Sequence, residues 1–238
     1  MMLSRFFCVV VLLLLQACAT QTKSFITYDG YRYLDGKKEF QLAELSALEL
    51  HQVEHADGVC KPVTENQIKS LINAGHNAVR VVALSVSTLA DETCEGEFHI
   101  LPPALPGGLP RVNENAMLHY DRMIVLADKY GLRLLLSFID REGSNRLARF
   151  YEENGEDLYD IHSKTYVAYT HVIKQILQRR NSMSGRLYRD EPAIMAWEIR
   201  EQPATGEFFT RTLAFIKILD PNHLVLGETA SQNEPLIP

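Results

Sequence analysis

The stretch RRNSMSGRLYRDEPAIMAWEIREQP, residues 179–203, contains the sharpest change of pattern in the chain. Its first half is polar and includes a glycine and a proline, which are typical of a connection between two elements. Its second half holds AIMAWEI, residues 193–199, a short apolar run that predicts a buried strand. An amphipathic segment, residues 205–219, predicts a helix, and HLVLG, residues 223–227, predicts the next strand. A strand, a helix and a strand at this spacing indicate two parallel strands joined by a crossover helix.

The same alternation of apolar runs and amphipathic segments extends towards the amino terminus. Thr64 and Gln67 form the sequence pattern of a capping box at the start of a helix, and Gly75 follows the end of that helix. Residues 28–40 contain two Asp-Gly turn signals and predict a short hairpin. The remaining predicted strands are residues 40–50, 77–84 and 132–139, and the remaining predicted helices are residues 64–75, 115–130 and 163–180.

Near-continuous apolar strands between amphipathic helices predict an α/β fold with a parallel sheet covered on both faces. Two architectures fit this pattern, a doubly wound sheet and a (β/α)8 barrel of the TIM type. No glycine-rich phosphate loop follows any predicted strand, so dinucleotide binding has no support. The long segments 85–113 and 140–160 each follow a strand. In a barrel, the loops at the carboxyl ends of the strands build the site, so we expect both segments to lie beside it.

The amino terminus resembles the signal peptide of a bacterial lipoprotein. Arg5 precedes an unbroken apolar run, residues 6–15, which is too short to cross a membrane and is typical of a signal sequence. The run ends in LQAC, residues 15–18, which resembles the lipoprotein cleavage box and implies a lipid anchor on Cys18. The cysteine is followed by Ala-Thr and no acidic residue, which in such proteins implies transport to the outer membrane. An ordinary secretory signal with an incidental Cys18 is the alternative.

These observations divide the chain into three parts: a signal peptide, residues 1–17, a lipid-anchored tether, residues 18–25, and one folded domain, residues 26–238. A hydrophobic content of 46% indicates a globular domain and argues against disorder. The net charge is −6 and no basic run occurs, which argues against nucleic acid as a partner. We therefore expect an exported protein that is held at the cell envelope and contacts the membrane through its anchor.

Two cysteines, Cys60 and Cys94, lie in the folded domain. In an exported protein they predict a disulfide bond, and two unpaired thiols are the alternative. Two cysteines alone do not make a zinc site, and the histidines show no spacing typical of metal ligands. We expect neither a metal nor a cofactor.

The quoted stretch, with the helix before it, resembles the β-mannanase branch of glycoside hydrolase family 5. The family has the pattern R-x-N-x-x-x-G-x-x-Y-x-x-x-P-x-I-x-A-W-E, followed by a strand end Asn-Glu-Pro. This chain is similar to the pattern over most of the pattern's length. Arg80 matches an arginine of the family's second strand, and residues 219–228 resemble the run into its fifth strand. The resemblance covers about residues 26–230 and implies a (β/α)8 barrel, truncated here after about five β/α units. The matching residues are Arg179, Asn181, Gly185, Tyr188, Pro192, Ile194, Ala196, Trp197, Glu198 and Pro203.

The resemblance implies a retaining glycosidase, which needs two carboxyl groups about 5 Å apart. In the family the acid/base is the glutamate of Asn-Glu-Pro, and here the sequence reads Glu201-Gln202-Pro203. An amide such as that of Gln202 cannot donate and retrieve a proton at neutral pH. The family's nucleophile lies on strand seven, and the sequence ends shortly after strand five, so we expect impaired catalysis. Because adjacent strand residues face opposite sides, Glu201 can replace the acid/base only if a bulge re-aims its side chain.

Four further residues are candidates for substrate binding. Arg80, in an apolar strand, needs a partner if it is buried, and we predict an ion pair with Glu198 inside the barrel. This pair has either a purely structural role or a role in organising the substrate. Trp197 could stack on a sugar ring, although its position in the middle of a strand favours core packing. Glu228 follows the fifth predicted strand and could contribute a carboxylate to the cleft.

Three functional interpretations follow. The chain is a family 5-like hydrolase of a β-linked polysaccharide such as mannan, or a non-catalytic glycan-binding surface lipoprotein. The third interpretation is a truncated gene product that folds poorly. Hydrolysis, binding to an insoluble glycan and cooperative unfolding are the measurements that separate them.

Overall fold

The computed structural model describes residues 24–46, 50, 64–81, 83–87, 98–203 and 206–228, with the backbone alone at residues 200–203 and 228. The proposed lipid site Cys18 and the proposed disulfide between Cys60 and Cys94 lie outside the described residues, and those predictions stay predictions. The strands are β1 (Ile26–Tyr28), β2 (Tyr33–Asp35), β3 (Lys38–Glu39), β4 (Glu44–Ser46), β5 (Ala78–Val81), β6 (Ile100–Leu101), β7 (Arg111–Val112), β8 (Arg133–Ser137), β9 (Ile194–Pro203) and β10 (Leu224–Glu228). The helices are α1 (Glu65–Asn73), α2 (Glu114–Tyr130), α3 (Arg141–Arg149), α4 (Lys164–Leu177) and α5 (Gly206–Leu219), with 3-10 turns at Gly155–Tyr159 and Tyr188–Asp190.

The central sheet decides between the two predicted architectures. Its strands lie in the order β10-β9-β8-β5-β4, and every neighbouring pair is parallel. Along the chain, each new strand of this sheet is therefore added to the same edge, next to the strand that precedes it. A doubly wound sheet reverses its order at a switch point, whereas a barrel does not. The described strands are thus five consecutive strands of the (β/α)8 barrel type, and the α/β barrel prediction is confirmed.

The sheet has two apolar layers. The larger lies between its outer face and the helices, and it includes Val79, Leu134 and Trp197. The smaller lies on the inner face and is formed by Ile26, Ala78, Leu135, Met195, Ala196 and Leu226. Successive side chains of a strand point to opposite faces, so the apolar strands supply both layers.

The amino-terminal hairpin closes one end of the barrel. Strands β1, β2 and β3 are antiparallel, as the two Asp-Gly turn signals predicted, and Ile26 is buried in the inner layer. Arg133, the first residue of β8, donates from Nη2 to Asp35 Oδ2 at 2.7 Å. The hairpin therefore covers the amino ends of the strands. The carboxyl ends, where barrel sites are built, lie on the opposite side.

The helix ends follow the predicted capping chemistry. Thr64 and Gln67 form both hydrogen bonds of a capping box at the start of α1. Gly131 follows α2 with a φ of 75°, a left-handed conformation that glycine adopts without steric cost. None of the described helices is long and apolar enough to cross a membrane.

The structure differs from the prediction in the two long segments after strands. Residues 140–160 were expected to be a loop, but they contain α3, which begins where Asp140 accepts a hydrogen bond from the Gly143 N–H at 2.7 Å. The buried face of α3 consists of Gly143, Ser144, Leu147 and Ala148, so its pattern contains one large apolar residue. Within residues 85–113, β6 and β7 form a small antiparallel hairpin.

Candidate active site

A cluster of charged and polar side chains lies inside the barrel near the carboxyl end of β8. Arg80 Nη1 lies 3.1 Å from Glu198 Oε1, so the predicted ion pair is present. Ser137, the last residue of β8, donates its hydroxyl to Glu198 Oε2 at 2.5 Å and is paired in register with Glu198 on β9. Three adjacent strands therefore bring these groups together, and both oxygens of the Glu198 carboxylate accept hydrogen bonds or face a positive charge.

A second carboxylate, Glu44 on β4, was not predicted as part of this cluster. Its Oε1 lies 2.8 Å from Arg80 Nε, and its Oε2 accepts from Arg80 Nη2 at 3.3 Å. The guanidinium thus presents its Nε–Nη2 edge to Glu44 and its Nη1 to Glu198. The clue in the sequence was weak, because Glu44 lies in a three-residue strand within a segment that has no clear periodicity.

Burial sets the strength of these interactions. The Glu198 side chain is 7% exposed, and those of Glu44 and Arg80 are 18% and 22% exposed. A charge that loses most of its hydration is stable only when it is paired and hydrogen-bonded. Glu198 is therefore held rigidly, whereas Glu44 and Arg80 keep part of their surface available to a ligand.

The interpretation of Trp197 as a substrate-binding residue is corrected by its burial. Trp197 is 1% exposed and stacks on Phe138, with ring centroids 5.3 Å apart. Its indole Nε1 donates to Asp220 Oδ2 at 2.6 Å. Because Glu198 faces the inside of the barrel, its neighbour in the strand faces the helices. Trp197 is a core residue, and neither face of its ring is free to stack on a sugar.

The end of β9 carries the positions that match the family's Asn-Glu-Pro. Ile199 pairs with Gly227, and the next paired residues are Pro203 and Glu228, so residues 200–202 are extra residues on the β9 side of this irregularity. A bulge is the condition that Glu201 needs in order to replace the acid/base. The roles of Glu201, Gln202 and Glu228 stay predictions, because only their backbones are described.

An aromatic residue of the loop above the barrel has a structural contact. Tyr151 is 8% exposed, and its hydroxyl donates to the Gly108 carbonyl oxygen at 2.9 Å. Burial, with a smaller contribution from the Glu153 charge, raises the pKa of Tyr151 to about 12. Tyr151 therefore fastens the segment that contains Gly108 to the end of α3. Within the described part of the chain, no group of three His, Cys, Asp or Glu side chains could hold a metal ion.

The ion pair makes a testable prediction about energetic coupling. We expect Arg80→Met and Glu198→Gln each to lower the free energy of unfolding, and the double variant to lower it by less than the sum. The expected coupling is about 1–3 kcal/mol, because Arg80→Met leaves the buried Glu198 charge without its cationic partner, and the double variant removes that charge as well. Urea unfolding of the four proteins measures this coupling. Simple additivity of the losses would show that the two side chains are energetically independent.

Comparisons with known proteins agree with this architecture. A sequence profile described as GH family 5 beta-mannosidase-like matches residues 139–235. Mannan endo-1,4-β-mannosidase F of Aspergillus clavatus is 27% identical over 222 residues, covering 87% of this chain and 47% of the fungal protein. A glycoside hydrolase family 5 mannosidase from Rhizomucor miehei superposes with a TM-score of 0.70 at 20% identity, covering 89% of this chain and 57% of that chain. A mutant of that mannosidase in complex with mannosyl-fructose superposes with a TM-score of 0.67 at 18% identity, covering 88% and 56%.

The extent of these matches defines what they establish. The chain spans about half the length of the curated relatives that it matches. The solved structures share its barrel-type arrangement of parallel strands and helices. The chain is therefore similar, in sequence and in fold, to the mannan endo-1,4-β-mannosidases of glycoside hydrolase family 5.

Proposed function

We propose that this chain binds a β-linked polysaccharide of the mannan type at the carboxyl ends of its barrel strands. The observation that carries the proposal is the Arg80–Glu198–Ser137 cluster, which lies inside a barrel similar to those of mannosidases. The Glu198 carboxylate can accept hydrogen bonds from sugar hydroxyls, and the Arg80 guanidinium can donate them. A solved relative that was crystallised with mannosyl-fructose supports a mannose-containing ligand.

We further propose that hydrolysis by this chain is impaired, because Gln202 stands where the family has its acid/base glutamate. A glutamine side chain has no ionisable proton, so it cannot protonate the leaving oxygen. Loss of a general acid typically lowers the rate by about 10²–10⁴-fold. The mannan-type ligand would then be bound and released without cleavage.

Retention on an insoluble glycan tests the binding proposal. We expect the purified chain to be retained on insoluble mannan. We expect Glu198→Gln to weaken this retention by about tenfold or more, since it removes the negative charge of Glu198. The matched control is Glu207→Gln, which removes the same charge from an exposed Glu207–Arg211 pair on α5 and should leave retention unchanged. Failure of the unchanged protein to bind mannan, in protein that unfolds cooperatively, would refute the proposal.

Hydrolysis is the second candidate function, and the register shift opposite Gly227 and Glu228 favours it. The extra residues 200–202 supply the bulge that could aim Glu201 into the cleft. Incubation with soluble mannan and measurement of reducing ends tests this candidate. Release that disappears in Glu201→Gln would establish hydrolysis by this route, and release that persists would exclude Glu201.

A further inference from the structure

Glu44 occupies the part of Arg80 that is best suited to bind a carboxylate. A guanidinium recognises a carboxylate most strongly through two parallel N–H groups on one planar edge. The Nε–Nη2 edge of Arg80 is such an edge: Nη2 donates to Glu44 Oε2 at 3.3 Å, and Nε lies 2.8 Å from Glu44 Oε1 but makes no hydrogen bond within the described residues. The carboxylate that fills this edge therefore belongs to the protein.

Arg80 Nε is buried beneath Glu44, but both side chains keep an exposed part. Glu44 and Arg80 are 18% and 22% exposed, so a ligand that enters the barrel can approach both side chains. The rest of the guanidinium is held by Glu198, which is more deeply buried. Without Glu44, the Nε–Nη2 edge would face the cleft as a binding site for an acidic sugar.

We propose that Glu44 is a specificity-determining residue that excludes uronic acids from the glycan site. Glu44 acts in two ways: it occupies the guanidinium edge that a uronate carboxylate would bind, and its negative charge repels that carboxylate. Neutral sugars approach the same cluster through their hydroxyl groups and meet no such repulsion. The inference rests on the proposed function, because it names the class of glycan that the same site accepts.

The test compares neutral and acidic oligosaccharides on variants of the whole chain. Calorimetric titration with mannohexaose and with oligomannuronate would be run on the unchanged protein, Glu44→Ala and Glu44→Asp. We expect Glu44→Ala to bind oligomannuronate at least about tenfold more tightly than the unchanged protein, because a charge-assisted contact with Arg80 becomes available. This gain should diminish at high salt, and no such gain should appear in the affinity for mannohexaose. Glu44→Asp keeps the carboxylate and should still exclude oligomannuronate.

A matched control separates this effect from a general change of charge. Glu207→Ala removes a carboxylate from an exposed pair on the outside of the barrel and should leave uronate affinity as it is. An equal gain in Glu207→Ala would overturn the inference, as would no gain in a Glu44→Ala protein that unfolds cooperatively. In both cases mannohexaose binding by the unchanged protein would still support the proposed function. Absence of that binding would instead refute the proposed function.

Discussion

Replacement of Asp121 by asparagine is expected to lower the free energy of unfolding by about 3–5 kcal/mol, because it removes one partner of a buried ion pair. Asp121 lies on α2 with its side chain fully buried. Its carboxylate accepts from Arg179 at 3.0 Å and 3.3 Å, from the Tyr188 hydroxyl at 2.6 Å, and from the Ser182 hydroxyl and N–H at 2.7 Å and 3.0 Å. Every one of these groups donates a hydrogen bond to Asp121. The NH2 group of an asparagine would therefore face donors in either orientation.

The size of this loss should be visible in thermal unfolding. For a domain of this length, each kcal/mol corresponds to roughly 2–4 °C, so Tm should fall by on the order of 10 °C. The matched control is Glu114→Gln, since Glu114 also contacts Arg179 but is 75% exposed. Because Glu114 lies mostly in solvent and Arg179 keeps Asp121 as its buried partner, the contact with Glu114 should contribute about 1 kcal/mol or less, and this variant should unfold near the unchanged protein. Equal losses in the two variants would contradict the central role of Asp121.

The hydrogen bonds to the Asp121 carboxylate also predict that the free energy of unfolding depends on pH. Burial opposes the charged form of Asp121, but the hydrogen bonds from Arg179, Tyr188 and Ser182 outweigh it and hold the pKa of Asp121 below its ordinary value. A carboxyl group whose pKa is depressed in the folded state stabilises the fold above its unfolded pKa, about 3.9 for Asp, and loses that effect as pH falls through the folded pKa. The difference in stability between the unchanged protein and Asp121→Asn should therefore be largest near neutral pH and shrink below about pH 4.

This network explains most of the motif that made the sequence resemble a glycosidase. Arg179 and Tyr188 bind the Asp121 carboxylate, and Asn181 donates to the Asp121 backbone carbonyl at 3.1 Å. Gly185 has a φ of 74°, which suits a residue without a side chain. These residues of the motif therefore build the turn that leads into β9, the strand that carries Glu198 into the site.

The fold was predictable because each barrel element is marked by its own pattern. The apolar runs at residues 77–84, 132–139 and 193–199 contain β5, β8 and the start of β9. The helix α3 was missed because Leu147 is its one large apolar residue and most of its other residues are polar or charged, so it lacks the apolar content that marks the other elements. Local pattern thus predicts an element when burial requires large apolar side chains, and fails when small residues allow close packing.

The site was predictable in part for a related reason. An arginine in an apolar strand needs a negative partner, and this requirement, together with the family resemblance, indicated the pair of Arg80 and Glu198. Glu44 satisfies the same arginine, but 36 residues separate the two along the chain. Which acid meets the second edge of the guanidinium depends on the register of β4 against β5, and a three-residue strand does not reveal its register.

Asp220→Asn is expected to destabilise the fold by roughly 3 kcal/mol. Asp220 contacts Trp197 and so holds β9, the strand that carries Glu198, from its helix-facing side. Its Oδ2 accepts from Trp197 Nε1 and from His223 Nδ1, each at 2.6 Å. Its Oδ1 accepts from the backbone N–H groups of Asn222 and His223 at 2.9 Å and 3.1 Å. An asparagine has one acceptor oxygen, so in either orientation its NH2 group would face a buried N–H donor, which is Trp197 Nε1 in one orientation and the His223 backbone N–H in the other.

A comparison of two Asp→Asn changes separates this mechanism from the loss of one negative charge. Asp160 is exposed and its Oδ1 accepts from the His162 N–H at 2.9 Å, a bond that the oxygen of an asparagine can also accept. Asp160→Asn should therefore change the free energy of unfolding by less than about 0.5 kcal/mol. Burial opposes the charged form of Asp220, but the contacts with His223 and Trp197 outweigh it, so the pKa of Asp220 lies below its ordinary value and its contribution should fade as the solution becomes acidic. Urea unfolding at neutral and acidic pH measures both effects. A loss in Asp220→Asn that is as small as that in Asp160→Asn would mean that Trp197 and His223 are held by packing alone.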